Sequence, residues 1–168
     1  VYAAAVIFPE GLIIDGCDDS KKLSEKKRNE LFDVICEKAI SFGIAYASVE
    51  EIDDINILNA TFLAMRRAVE KLSQKPDCVL IDGNRISGMD DYYTRTIVKG
   101  DALSQSIAAA SILAKVSRDR YMKEIAEKYP QYLFEKHKGY GTKVHIDAII
   151  KYGPCDIHRR TFLTKILV

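Results

Sequence analysis

The sequence lacks any apolar run near the roughly 20 residues that cross a bilayer, and no basic-then-apolar leader with a small-residue cleavage site opens it. Both absences point to a cytoplasmic protein that makes no membrane contact. The four cysteines, Cys17, Cys36, Cys78 and Cys155, are scattered. None has the Cys-x-x-Cys spacing that grips zinc or cycles a dithiol, so free thiols in a reducing compartment are expected. There is no internal repeat, no low-complexity stretch, no P-loop and no Gly-x-Ser-x-Gly elbow, which gives nucleotide-triphosphate cradles and hydrolase triads little support. His137, His145 and His158 do not fall at the i, i+4 spacing that sets two ligands on one helix face.

What remains is an ordinary globular composition, 48% apolar and 29% charged over 168 residues, enough for one domain with a real core. The net charge of +1 hides an uneven distribution. Residues 1–100 carry 13 Lys/Arg against 17 Asp/Glu, and residues 101–168 carry 12 against 7. A basic segment beside a carboxylate-bearing one suits an enzyme that holds a polyanion and a metal, although inert surfaces share such a bias.

Apolar residues 2–8 read as a buried strand that Pro9 ends. Ser24 offers an N-cap to a helix beginning at Glu25, with Leu31, Ile35, Ala39 and Phe42 at helical spacing and Gly43 as its stop. Residues 44–49 read as a short strand. Ser48 and Glu51 form a capping-box pattern ahead of Ile55, Leu58, Phe62, Met65, Val69 and Leu72, an amphipathic helix broken by Pro76. Two more strands follow, at 78–82 and 94–98, then a helix over 104–129 whose Ala108-Ala-Ala-Ser111 permits close packing, and a last helix over 144–152. Strands alternating with helices predict an α/β layered domain.

Asp82 and Asp101 each follow a predicted strand and precede a glycine turn or a helix, so both carboxylates can project from one sheet edge and share a hard cation such as Mg²⁺. Taken singly, Asp82 equally suits an Asp-Gly turn and Asp101 a helix cap. The stretch Lys136-His-Lys-Gly-Tyr-Gly-Thr-Lys143 interleaves cations with an aromatic between glycines. It would let Tyr140 lie against a sugar or base while Lys138 and Lys143 meet phosphates, or it is a flexible basic loop. The run from Asp18 to Arg28, with Ser20 and Lys21, can bind phosphate or be a solvated charged face. Arg118, Asp119 and Arg120 read as a surface ion-pair patch of little energetic weight.

Taken together, Asp19-Ser-Lys-Lys-Leu-Ser, Ile55-Asn-Ile-Leu, Ala64-Met-Arg-Arg-Ala68, Val79-Leu-Ile-Asp-Gly-Asn84, Val98-Lys-Gly-Asp101, Ile107-Ala-Ala-Ala-Ser-Ile-Leu-Ala-Lys-Val116, His137-Lys-Gly-Tyr-Gly-Thr-Lys143 and Ile157-His-Arg-Arg160 resemble bacterial ribonuclease HII nearly end to end. The resemblance implies a single ribonuclease H-like domain over 1–168, an α/β fold with a mixed central β-sheet flanked by α-helices. It also implies a Mg²⁺- or Mn²⁺-dependent endonuclease with a two-metal mechanism, cutting the RNA strand of RNA·DNA hybrids and the 5′ side of a lone ribonucleotide in duplex DNA. Asp82 and Asp101 match two of the family's four catalytic, metal-binding carboxylates. The other two belong to an Asp-Glu-Ala-Gly-Arg-Gly stretch that would lie just upstream of Val1, along with the loop that reads the 2′-hydroxyl. By the same match Tyr140 stacks on the sugar at the RNA–DNA junction, and Ser20 and Lys21 contact the nucleic-acid backbone. The expected partners are the hybrid and ribonucleotide-containing duplexes; the protein is expected to be a monomer, and a sliding-clamp contact is left open. Without the upstream carboxylates, the alternative is a non-catalytic nucleic-acid-binding domain.

Overall fold

A computed structural model describes residues 1–18, 20–164 and 166. The chain begins with an antiparallel pair, β1 (Tyr2–Ile7) and β2 (Ser41–Tyr46), enclosing helix α1 (Glu25–Lys38) in sequence. The long helix α2 (Val49–Glu70) leads to a parallel pair, β3 (Val79–Asp82) and β4 (Thr94–Ile97). Then come the short α3 (Gly100–Leu103), the central α4 (Gln105–Lys128), a 3₁₀ turn at Pro130–Tyr132, and α5 (Phe134–His137), α6 (Lys143–Tyr152) and α7 (Arg160–Leu163). Among the described residues, no helix is long and apolar enough to cross a membrane.

Local chemistry accounts for most of these limits. The Ser24 hydroxyl accepts from the Lys27 amide at 3.2 Å and starts α1. Ser48 and Glu51 close the capping box of α2 reciprocally, at 3.2 and 2.8 Å. Two limits differ from the sequence reading. Helix α1 stops at Lys38 and not at Gly43, because the Ile40 amide donates to the Ile7 carbonyl at 2.8 Å and commits the chain to pairing with β1. Gly43 lies inside β2, where a Cβ would sit 2.1 Å from the Ala68 carbonyl oxygen of α2, so only glycine permits that approach. Within α2, Asn56 takes φ 67° and its side chain accepts from the Leu58 and Asn59 amides at 3.0 and 3.1 Å, acting as an internal cap at a kink.

The strands have the mixed sense expected, but among the described residues they form two separate ladders, β1·β2 and β3·β4. The outer edges of β1 and β3 both line one cleft of about 530 Å³, floored by Met65 and Val69 of α2 and by Ile107, Ala110 and Ala114 of α4. One apolar cluster joins β1 and α1 to α4 around Ile35, Ile112 and Leu113. A second packs Ala3 and Ala45 of the antiparallel pair on Ala60, Ala64 and Ala68 of α2, small side chains that let helix and strands approach closely. A third, around Phe134 and Ile149, docks the C-terminal helices onto the far end of α4. Helix α4 runs through the first and third, which makes it the packing axis of the molecule.

Candidate active site

Asp82 is the last residue of β3 and Asp101 lies just beyond β4. The parallel register sets Asp82 opposite Ile97, and Gly83 continues the pairing by donating to the Ile97 carbonyl at 3.0 Å. The chain then turns sharply: Lys99 adopts a left-handed conformation with φ 57° and hands over to the buried Gly100. The Gly100 amide donates to Asp82 Oδ1 at 2.8 Å. A Cβ at Gly100 would lie 3.5 Å from the Asp82 Cα and 2.6 Å from Ile107 Cδ1, so the start of α3 presses against the end of β3. Asp101 follows directly on the amide that bonds Asp82.

Lys21 reaches the same place from the loop before α1. Its Nζ is 4.0 Å from Asp101 Oδ2, with the lysine side chain 83% exposed and the aspartate 12%. An exposed ammonium over a largely buried carboxylate supplies counter-charge at little cost in desolvation. Ser20 does not share that exposure. It is buried, and its carbonyl accepts from Arg28 Nη1 at 3.0 Å, so of these two residues Lys21 is the one presented outward. Asp19 of the same motif lies outside the described residues.

Tyr140, Lys138 and Lys143 form a second group between α5 and α6. Tyr140 is exposed, and Lys143 is the exposed first residue of α6, whose cap is Thr142. The Lys138 ammonium is turned back onto the Glu135 carbonyl at 2.7 Å. Three imidazoles lie beneath this loop. His137 stacks on His145 with ring centroids 4.4 Å apart, and His145 Nε2 meets His158 Nε2 at 3.0 Å. Chain folding, not sequence spacing, collects them. Their partners fix the protons: His145 Nδ1 donates to the Tyr140 carbonyl at 2.9 Å, so its Nε2 accepts from His158, whose Nδ1 in turn accepts from the Cys155 amide at 3.0 Å. Burial holds the pKa of both His145 and His158 below the ordinary histidine value, in keeping with neutral rings. Among the described residues, no group of three or more His, Cys, Asp or Glu is arranged to hold a metal ion.

The surface ion-pair reading of residues 118–120 is corrected by the structure. Asp119 is buried, and both its oxygens accept from Lys115, at 2.6 and 2.8 Å. Arg118 leaves that pair and points to the Tyr140 loop, donating from Nη2 to the Lys138 carbonyl at 2.8 Å. The only trace of this in the sequence is Lys115 four residues before Asp119, a helical i, i+4 pair that frees the arginine.

Solved nucleases share this architecture. The ribonuclease H2 of Pyrococcus horikoshii OT3 matches 90% of the chain and 80% of its own, with TM-score 0.74 and 24% identity. Ribonuclease HII of Archaeoglobus fulgidus, solved with PCNA, matches 91% and 81%, with TM-score 0.70 and 21% identity. At the level of fold the molecule is thus a ribonuclease H-type α/β protein with two carboxylates at adjoining strand ends. Its sequence narrows the class further. The ribonuclease HII family model matches residues 1–165. Ribonuclease HII of Caldicellulosiruptor bescii is 56% identical over 99% of the chain and 81% of that relative, and that of Clostridioides difficile 53% identical over 99% and 65%. The chain belongs to the ribonuclease HII family.

Proposed function

We propose that the protein is an endoribonuclease that hydrolyses the RNA strand of RNA·DNA hybrids and cuts 5′ of single ribonucleotides embedded in duplex DNA, using Asp82 and Asp101 as ligands for Mg²⁺ or Mn²⁺. The observation that carries this reading is the bond from the Gly100 amide to Asp82 Oδ1, which ties the two carboxylate-bearing turns together. The donor set suits the cation: two carboxylate oxygen donors, one exposed and one 12% exposed, the hard ligands that Mg²⁺ and Mn²⁺ take. When bound, such a cation polarises the phosphodiester and eases the charge that develops on attacking and departing oxygens.

The chain's own groups complete the site. Asp82, an exposed residue, keeps one oxygen engaged by the Gly100 amide, which orients its carboxylate. Lys21, near Asp101, is placed to exchange that partner for a substrate phosphate. Tyr140 offers an exposed ring for stacking on the sugar at the RNA–DNA junction, with Lys138 and Lys143 along the backbone path.

The test is incubation of the full-length protein with Mn²⁺ and a duplex bearing one ribonucleotide. A cut strand is expected. Asp82→Asn and Asp101→Asn should each lower the cleavage rate by at least about 100-fold, the scale on which a single electrostatic group acts at such a centre, while the duplex is still bound. Cleavage at the wild-type rate in both variants, or an intact duplex merely shifted by the wild-type protein, would overturn the reading.

A further inference from the structure

Arg118 sits on α4, away from the carboxylates, and its surroundings are unusual for a charged side chain. The adjacent Asp119 is occupied by Lys115. A neighbouring charge of like sign is Arg159, whose pKa burial first and the nearness of Arg118 second hold below the ordinary arginine value. Arg118 Nη1 is buried without a hydrogen-bond partner. With Nη1 unpartnered, the placement of the guanidinium plane rests on its other contacts.

That plane is set on one side by the loop after α5. Nη2 donates to the Lys138 carbonyl at 2.8 Å, and the guanidinium carbon lies 5.4 Å from the centre of the Tyr140 ring. Between those two residues Gly139 has φ 80°, and a Cβ there would come within 3.8 Å of Nη2. Lys138 is left-handed as well, so the backbone turns tightly around the arginine. Tyr140 is nevertheless 64% exposed, with one end of the loop bonded to Arg118 and its own carbonyl bonded to His145.

We infer that Arg118 is a positioning residue for Tyr140: its Nη2 bond to the Lys138 carbonyl and its cationic face over the ring hold the phenol in the orientation that meets the nucleic-acid sugar. This rests on the reading of Tyr140 as the stacking residue. Lysine does not replace arginine here, because an ammonium has no flat face to set over the ring.

The experiment is a double-mutant cycle in the full-length protein, with Arg118→Lys, Tyr140→Ala and the pair, reading the dissociation constant for a duplex with one ribonucleotide in Ca²⁺. Arg118→Lys should weaken binding by about 10-fold, as loss of an orienting partner does, and by less than about 2-fold once Tyr140 is alanine. Equal weakening in both backgrounds would show that Arg118 meets the phosphate directly, and would overturn the inference while sparing the role of Tyr140. No effect of Tyr140→Ala would remove the stacking reading itself. A second readout separates orientation from global damage. The Tyr140 amide order parameter should fall from about 0.85 to below about 0.6 in Arg118→Lys while the melting temperature is kept. An unchanged order parameter, or a loss shared by the whole chain, contradicts the positioning role.

Discussion

Gly100 shows how one residue without a side chain fixes two with carboxylates. Its amide orients Asp82, and its bare Cα lets α3 begin against Ile107, which is itself buried. Gly100→Ala should cost about 1–3 kcal/mol of unfolding free energy, the usual scale for overfilling a packed site, measured by urea denaturation. A variant as stable as the wild type would mean that Ile107 moves aside freely and that the turn is not tight. At this scale the sequence is informative about the carboxylates, since Asp82 before a glycine and Asp101 after one mark strand ends. It is silent on how Arg118 reaches Lys138, 20 residues on, and on how the three imidazoles meet one another, since only the fold around α5 and α6 joins them.

Among the elements, the caps were the most legible features, because Ser24, Ser48 and Glu51 act on amides within three residues of themselves. Gly43 misled because a glycine past an apolar run suits a helix stop and a crowded strand equally, and only the Ala68 carbonyl across the interface decides. The kink at Asn56 was hidden by the unbroken spacing of Ile55, Leu58 and Phe62 on either side of it. Helix α2 is tied to its own capping box and to β2 by Arg67, which bonds both Glu51 oxygens, at 2.8 and 2.6 Å, and the Tyr46 carbonyl at 3.1 Å. The Arg67 bond first, and the Ser48 amide second, lower the Glu51 pKa from 4.5 to about 2. The folded state therefore binds its proton later than the unfolded chain as pH falls. The resulting stabilisation is complete above pH 4.5 and is lost as pH drops toward about 2. Urea midpoints across that window should fall less steeply in Arg67→Met than in the wild type. Parallel curves would show that the pair is too well solvated to matter.

At the scale of the whole molecule, two ladders of opposite sense meet at a cleft, the acidic turns of Asp82 and Asp101 stand at the strand ends, and the basic C-terminal portion brings Tyr140 to the surface on a loop braced from below. The alternation of strand and helix was enough to predict the α/β class, because each period is local. The division of the sheet was not legible, since pairing between strands far apart in sequence leaves no periodic trace in either. The account stands on a divalent ion held between Asp82 and Asp101, and amide NMR of the ¹⁵N-labelled full-length protein titrated with Mn²⁺ examines that directly. Signals of Gly83, Gly100 and Ala102, which flank the two carboxylates, should broaden first, and the double variant Asp82→Asn with Asp101→Asn should abolish the effect. Broadening that begins instead around Asp90 and Asp91, or that survives in the double variant, would place the cation elsewhere and contradict the assignment.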